Sequence, residues 1–309
     1  MSVYTSVTFQ QLQDFISDYA LGHLLAFEGI QDGIANSNYA VTTSQGEFIL
    51  TLFESLTVQN LAPYIQLLVY LSANYPLYPK PHADKSHQYL KSLQHKPAVI
   101  CARLAGQAIT TASPDQCAQT GTQLAQLHQA TQRYEFKQSG RYTLTSLNAS
   151  FAKVDTFLAE DDKQLIKEEL AFQSRLAHSQ LPEGFIHGDL FKDNVLFVDG
   201  RISGIIDFYS ACYDNLLLDI AITANDWCRD NGFLNQEKLT ALLTAYEQVR
   251  PLTNAEKHSL PVLLRCAALR FWLSRLIHQH RNPVGELTQI KDPAVFRQLL
   301  LQHRESCYV

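Results

Sequence analysis

Three polar side chains stand out for the chemistry they could do together. His187-Gly188-Asp189 is followed by Asn194, so carboxylate and amide lie five positions apart in the pattern H-x-D-x-x-x-x-N. A second carboxylate, Asp207, follows in Ile205-Ile206-Asp207-Phe208. The set suits phosphoryl transfer. Asp189 can accept the proton of an attacking hydroxyl. The amide oxygen of Asn194 and the carboxylate of Asp207 can hold a Mg²⁺ that bridges nucleotide phosphates. Lys192 sits inside the same loop, where its ammonium can approach the transferring group; otherwise it is a solvated loop lysine.

A hairpin must bring these residues together. Val195-Leu196-Phe197-Val198 and Ile202-Ser203-Gly204-Ile205-Ile206 read as strands, with Asp199-Gly200 a two-residue turn between them. Pairing across that turn sets Asn194 opposite Ile205. Asp207 is then two residues further on, roughly 7 Å at about 3.3 Å per residue. Asp219, in Leu218-Asp219-Ile220-Ala221, falls on a following apolar helix, which favours a partly buried, paired carboxylate over a surface one; it resembles the aspartate that braces the catalytic loop in kinase-like folds.

The start of the chain supplies a second half. Glu28 to Tyr39 is a small-residue turn between strand-like segments, and Phe48-Ile49-Leu50-Thr51-Leu52-Phe53 is a further strand. Backbone N–H groups of Gly33, Ala35, Asn36, Ser37 and Asn38 could cradle phosphates there. Thr8 caps a helix from Phe9 to about Leu21, and Val58 to Ala73 has helical periodicity. Ala98 to Ala102 reads as a buried strand leading to a crossover at Arg103 to Gly106, where an adenine would be hydrogen-bonded. Ser113-Pro114-Asp115 starts a helix that runs to about Gln129, in which His128 is a packed residue rather than a catalyst. Helices follow at Glu160 to Ser179 and near 215–229, 235–249, 254–281 and 293–303.

Composition limits the partners. The chain of 309 residues is 46% hydrophobic and 18% charged, enough for a full core. A net charge of −5 gives no footprint for nucleic acid, so a bound nucleotide must rely on local donors and metal. The six cysteines include no C-x-x-C pair, which disfavours a zinc site or disulfide framework. Neither a signal peptide nor a membrane-length apolar run is evident, so the expected compartment is the cytoplasm.

Several segments carry a family resemblance: Gly33 to Tyr39, Phe48 to Glu54, Lys96-Pro97-Ala98, Leu127-His128, Phe185 to Cys228, Arg270-Phe271-Trp272-Leu273-Ser274-Arg275, and Lys291-Asp292-Pro293 with Phe296. In them the chain resembles the aminoglycoside-phosphotransferase-like kinases, and within these the bacterial homoserine kinases of that fold. The most specific parts are Gly204 to Cys212, Ala224-Asn225-Asp226-Trp227-Cys228 and the Arg270 to Arg275 stretch. The resemblance implies an α+β, two-lobed, protein-kinase-like fold. A small β-rich nucleotide-binding lobe would span 1–102 and a larger, mainly helical catalytic and acceptor-binding lobe 103–309. It implies ATP and Mg²⁺ as cofactors and phosphorylation of the side-chain hydroxyl of L-homoserine, a step of threonine biosynthesis. The acceptor is a small molecule, with no nucleic-acid or membrane partner; oligomeric state stays open. Tyr209, Asp226, Arg270 and Arg275 are the candidates for the zwitterion's charges.

Two departures qualify this. The third strand carries no lysine for the phosphates, and Val58 to Asn74 contains no acidic partner for one. Thr131 to Ser146 lacks the Arg- and Pro-rich run expected after Leu-His. The same fold could instead serve choline, ethanolamine, a methylthio-sugar or an aminoglycoside, for which Asp214, Asp219, Asp226 and Asp230 offer negative charge. A nucleotide-binding scaffold would explain the missing lysine but not the intact Asp189, Asn194 and Asp207. A P-loop ATPase and a serine hydrolase are disfavoured, because neither G-x-x-x-x-G-K-[ST] nor G-x-S-x-G occurs.

Overall fold

Thr8 opens the first helix, α1 (Phe9–Ser17), with a reciprocal cap: its hydroxyl accepts the Gln11 N–H while the Gln11 side chain accepts the Thr8 N–H. The helix buries Leu12, Phe15 and Ile16. Alternating apolar residues then build β1 (Leu24–Gly29), β2 (Asn36–Thr43) and β3 (Gly46–Phe53). Helix α2 (Val58–Asn74), capped by Thr57, follows, and then β4 (Lys91–Leu93) and β5 (Lys96–Ala102). The strands form one antiparallel sheet in the order β1-β2-β3-β5-β4. Its register pairs Ser37 with Leu52 and Leu52 with Ala98, so the start of β2, the end of β3 and the start of β5 share one end of the sheet. Leu50, Leu52, Ala98 and Ile100 are fully buried in its core.

This computed structural model describes residues 5–30, 36–134, 143–175, 181–281 and 291–305. Contacts divide the chain into two units. The first holds the chain up to Gly106 together with Ser203–Tyr209. Within it, Ile205 N–H donates to the Leu77 carbonyl at 2.9 Å, and Phe208 packs edge-on against Tyr78.

The second unit is mainly helical. Its helices are α3 (Pro114–Thr131), α4 (Leu144–Ala152), α5 (Glu160–Ser174), α6 (Leu216–Trp227), α7 (Gln236–Val249), α8 (Asn254–Arg281) and α9 (Ala294–Glu305). Ser113 caps α3 with the expected proline in its first turn. Helices α3 and α7 meet closely at Gly121, where a Cβ would stand 2.2 Å from the Leu242 carbonyl oxygen, so only glycine fits. Helix α4 was not foreseen.

The short strands are β6 (Glu183–Ile186), β7 (Val195–Val198), β8 (Arg201–Ile205), β9 (Cys212–Asn215), β10 (Arg229–Asp230) and β11 (Phe233–Leu234). Strands β7 and β8 form the expected hairpin. Its turn residues Asp199 and Gly200 both have positive φ, 49° and 75°, the conformation that Asp-Gly supplies. The pairing of β6 with β9 was not anticipated, because Cys212-Tyr213-Asp214-Asn215 has no strand-like apolar pattern. No described helix is long and apolar enough to cross a membrane.

Candidate active site

The strand β6 delivers the chain to His187 and then bends at Gly188, whose φ of 74° suits glycine. The bend is held from α6. The carboxylate of Asp219 accepts the backbone N–H of His187 at 2.6 Å and of Gly188 at 2.8 Å. It also accepts Nε2 of His128 at 3.1 Å. Burial alone would raise this carboxyl, but His128, His187 and the loop N–H groups hold it below its usual value. The brace continues inward. His128 Nδ1 lies 2.7 Å from Tyr246 Oη, Arg250 donates to that oxygen at 3.2 Å, and Arg250 pairs with fully buried Glu256 at 2.8 Å. Asp219 is the buried support expected of it, and His128 is a packed hydrogen-bonding residue.

Beyond Asp189 the loop turns tightly. The Asp189 carbonyl accepts Phe191 N–H and the Asn194 side-chain Nδ2, each at 2.8 Å. The second bond fixes the Asn194 amide, so that Oδ1, the atom a hard cation would take, is the end not spent on the loop. The segment Asn225-Asp226-Trp227 grips the same loop. Trp227 Nε1 donates to the Leu190 carbonyl at 3.0 Å. Asp226 Oδ2 accepts both the Lys192 N–H and Lys192 Nζ at 2.9 Å. Asn225 donates to the Leu264 carbonyl at 2.8 Å and ties α6 to α8. Of the three, Asp226 is the acceptor candidate, and here it and Trp227 hold the catalytic loop.

Lys192 is therefore not a solvated loop lysine. Its ammonium is turned onto the end of α6, with the side chain 15% exposed. Asp226 also meets Arg229, at 3.4 Å through Oδ1. Burial would raise the Asp226 carboxyl, and the charges of Lys192 and Arg229 hold it low.

Asp207 belongs to the first unit and is exposed, with a φ of 62°. A non-glycine residue in that region carries strain of about 1 kcal/mol or more and is found at functional positions. Tyr209 packs edge-on against Phe53, with ring centres 4.7 Å apart. Burial, reinforced by the neighbouring Cys101 thiol and the charge of Asp207, pushes its hydroxyl well above the usual range, and that hydroxyl lies in hydrogen-bond reach of Thr51.

Of the expected phosphate segment, Gly33 and Ala35 lie outside the described residues, and Asn36, Ser37 and Asn38 begin β2. The Asn38 amide oxygen accepts Thr51 Oγ1 at 2.8 Å. Ser37 is fully buried and donates to Glu54 Oε1 at 2.6 Å. Glu54 also accepts Thr5 Oγ1 at 3.0 Å and pairs with Lys96 Nζ at 3.1 Å. A lysine–glutamate pair thus exists in this sheet. It spans the end of β3 and the start of β5, rather than the third strand and the next helix. Reading along the sequence could not find it, because it depends on the register of β5 against β3. The pointers in the sequence are the strand signal at Ala98 to Ala102 and the resemblance segments that end at Glu54 and begin at Lys96.

Arg270 and Arg275 both lie on α8 but point about 140° apart at 3.6 residues per turn. Arg270 lies over the Phe271 ring, 4.4 Å from its centre. Arg275 lies 4.4 Å from the Phe296 ring centre and donates to the Asp292 carbonyl at 2.8 Å. Arg229, which no sequence motif marks, lies over the same Phe296 ring at 5.8 Å.

Comparison with known proteins places this geometry. Residues 26–252 match the phosphotransferase enzyme family. The homoserine kinase of Methylobacillus flagellatus is 40% identical over 97% of this chain and 94% of its own. That of Neisseria meningitidis serogroup B is also 40% identical, over 97% of this chain and 99% of its own. Among solved structures, an amicoumacin kinase in complex with AMP-PNP, Ca²⁺ and Ami superposes with a TM-score of 0.74 at 17% identity, covering 97% of this chain and 94% of that one. A microcompartment-associated aminopropanol kinase gives 0.72 at 15% identity, over 97% and 95%. These likenesses show the protein-kinase-like fold. With the His-Gly-Asp loop, its aspartate brace and near-full-length identity in agreement, the chain belongs to the phosphotransferase enzyme family, on its homoserine kinase branch.

Proposed function

We propose that the chain transfers the terminal phosphoryl group of ATP to the side-chain hydroxyl of L-homoserine. The observation that carries this is the Asp189 loop, held in one geometry by Asp219, Trp227 and Asp226 in a chain 40% identical to homoserine kinases over nearly its whole length. Asp189 orients the acceptor hydroxyl and takes its proton as the oxygen attacks. Asn194 and Asp207 are the protein ligands for Mg²⁺. Both offer oxygen, the donor this ion takes, and it keeps few protein ligands where substrate phosphates complete its shell. When bound, the ion neutralises charge on the phosphoryl oxygens. Lys192, fixed by Asp226, adds a positive charge to the loop. The backbone of the 33–38 segment, anchored through Ser37 to Glu54, holds the nucleotide phosphates.

The test is turnover with ATP over homoserine, serine, threonine, choline and kanamycin. Homoserine is expected to give the highest kcat/KM. A site that pairs both an ammonium and a carboxylate rejects analogues lacking either, since its own charges are left unpaired. Serine keeps both groups but is one methylene short, and displacing a nucleophile by about 1 Å can cost around 10²-fold. Choline or kanamycin outperforming homoserine would overturn the acceptor and leave the kinase assignment standing.

A further inference from the structure

The second unit contains a pair of cations with more donors than partners. Arg229 follows α6, and its side chain is only 17% exposed. One amino group reaches Asp226 Oδ1 at 3.4 Å, but Nε is buried and has no hydrogen-bond partner among the described residues. Asp226 is shared, because its other oxygen is taken by Lys192. Arg275 is half-buried and, among the described residues, bonds only a backbone carbonyl, that of Asp292. Among the described residues it has no carboxylate within ion-pair distance. The neighbouring Asp193 is paired with Lys291 at 2.5 Å, and the side chain of Asp292 accepts the Ala294 N–H.

Both guanidinium groups lie over the ring of Phe296. They are close enough to oppose each other. Burial, followed by the charge of Arg229, pushes Arg275 down to about 10, and the opposing pull of Asp226, Asp193 and Asp292 does not offset it. A half-buried pair of like charges on one ring is unfavourable unless an anion completes it. The surroundings say where such an anion would sit. Phe296 continues into Phe271 and Phe191, with ring centres 5.3 Å and 4.6 Å apart along the series. Phe191 is the second residue after Asp189. The cations therefore adjoin the catalytic loop through a packed, buried aromatic series that ends at Phe191 of the loop itself.

We propose that Arg229 and Arg275 seat the α-carboxylate of the acceptor amino acid, an inference that rests on the homoserine reading above. Guanidinium donors match the two oxygens of a carboxylate, and the carboxylate supplies the charge this pair lacks. The hydroxyl end of the acceptor then extends toward the loop that carries Asp189 and Phe191. Asp226 acts indirectly, by positioning Arg229 against Lys192.

Arg229→Gln and Arg275→Gln test this with two acceptors, L-homoserine and aminopropanol, which is homoserine without its carboxylate. In each variant kcat/KM for homoserine should fall about 10- to 100-fold, mostly through KM, as for loss of a charged hydrogen bond. For aminopropanol, already a poor acceptor, it should change by less than about threefold, and KM for ATP should stay within about twofold. Arg275→Lys keeps the charge but loses the planar fork. It guards against misfolding and should still raise KM for homoserine about tenfold, leaving aminopropanol unaffected. Equal losses on both acceptors, or a matching rise in KM for ATP, would overturn the carboxylate seat while homoserine turnover by the unaltered protein still stood. If the unaltered protein prefers another acceptor, the functional reading falls first and the seat with it.

Discussion

The ammonium of Lys192 is bound twice by Asp226, at 2.9 Å from Oδ2 and 2.5 Å from the backbone carbonyl. The catalytic loop is thereby fastened to the last turn of α6. Asp226→Ala leaves two largely buried cations, Lys192 and Arg229, without their carboxylate. Removing one partner of such a pair costs about 3–5 kcal/mol. Lys192→Met should cost less, and the double variant should recover part of the Asp226→Ala loss. Denaturant unfolding of the four proteins measures the coupling, expected above about 1 kcal/mol. Simple additivity would show that the two side chains do not depend on each other.

The two carboxylates assigned to chemistry should separate in kinetics. Asp189→Asn removes proton acceptance but leaves the backbone carbonyl that Phe191 and Asn194 bind, so the loop keeps its shape. Its kcat should fall by about 10²–10⁴-fold with KM for ATP little changed. Asp207→Ala should abolish turnover and weaken MgATP binding together. Activity of Asp207→Ala within about tenfold of the parent would remove the metal role; an Asp189→Asn effect confined to KM for ATP would remove the base.

The sheet offers a third test at Lys96. Burial would raise the Glu54 carboxyl, but bonds from Ser37, Thr5 and Lys96 keep it below its usual value. Lys96→Met removes the cationic partner and leaves the hydroxyl donors. Stability should fall by about 1–3 kcal/mol, the cost of stripping a partner from a charged, part-buried group. If Ser37 anchors the phosphate segment, KM for ATP should rise several-fold while kcat changes less. A normal KM for ATP in a destabilised variant would confine Glu54 and Lys96 to folding.

What the sequence reveals about this protein divides along the reach of its interactions. The Asp189–Asn194 spacing, the Asp199-Gly200 turn and the Thr8 and Ser113 caps are each set within a few residues, and each is legible there. The burial of Asp219 could be anticipated from its apolar helix and its brace from the resemblance to kinase-like folds, but the partners His128 and Tyr246 come from α3 and α7. The Lys96–Glu54 pair, the strand β9 and the meeting of Arg229 with Arg275 over Phe296 depend on register and helix packing. Spacing along the chain carries no trace of them. The Asn225-Asp226-Trp227 segment shows the other limit: its residues were legible as special, but not as a clamp on the catalytic loop.

The clamp also carries a pH dependence. The Asn225 amide nitrogen donates to the Leu264 carbonyl, so its oxygen is the acceptor for His303 Nε2, 2.9 Å away. That nitrogen must hold the proton. His303 is 2% exposed, and burial, followed by the charge of Arg265, lowers its pKa from 6.5 to about 4. A base with a depressed folded-state pKa is neutral in both states above pH 6.5. Below that, the unfolded chain binds a proton that the folded one refuses, so stability is lost as pH falls toward about 4. The slope approaches about 1.4 kcal/mol per pH unit in that window, up to roughly 3 kcal/mol in all. His303→Gln keeps a donor for Asn225 and removes the titration. Urea unfolding at about pH 7 and about pH 5 should show the parent losing roughly 2 kcal/mol more than the variant. Equal losses would mean that the His303 pocket admits the charged ring. The bond between Asn225 and His303 would then tolerate protonation, since Nε2 donates in either state.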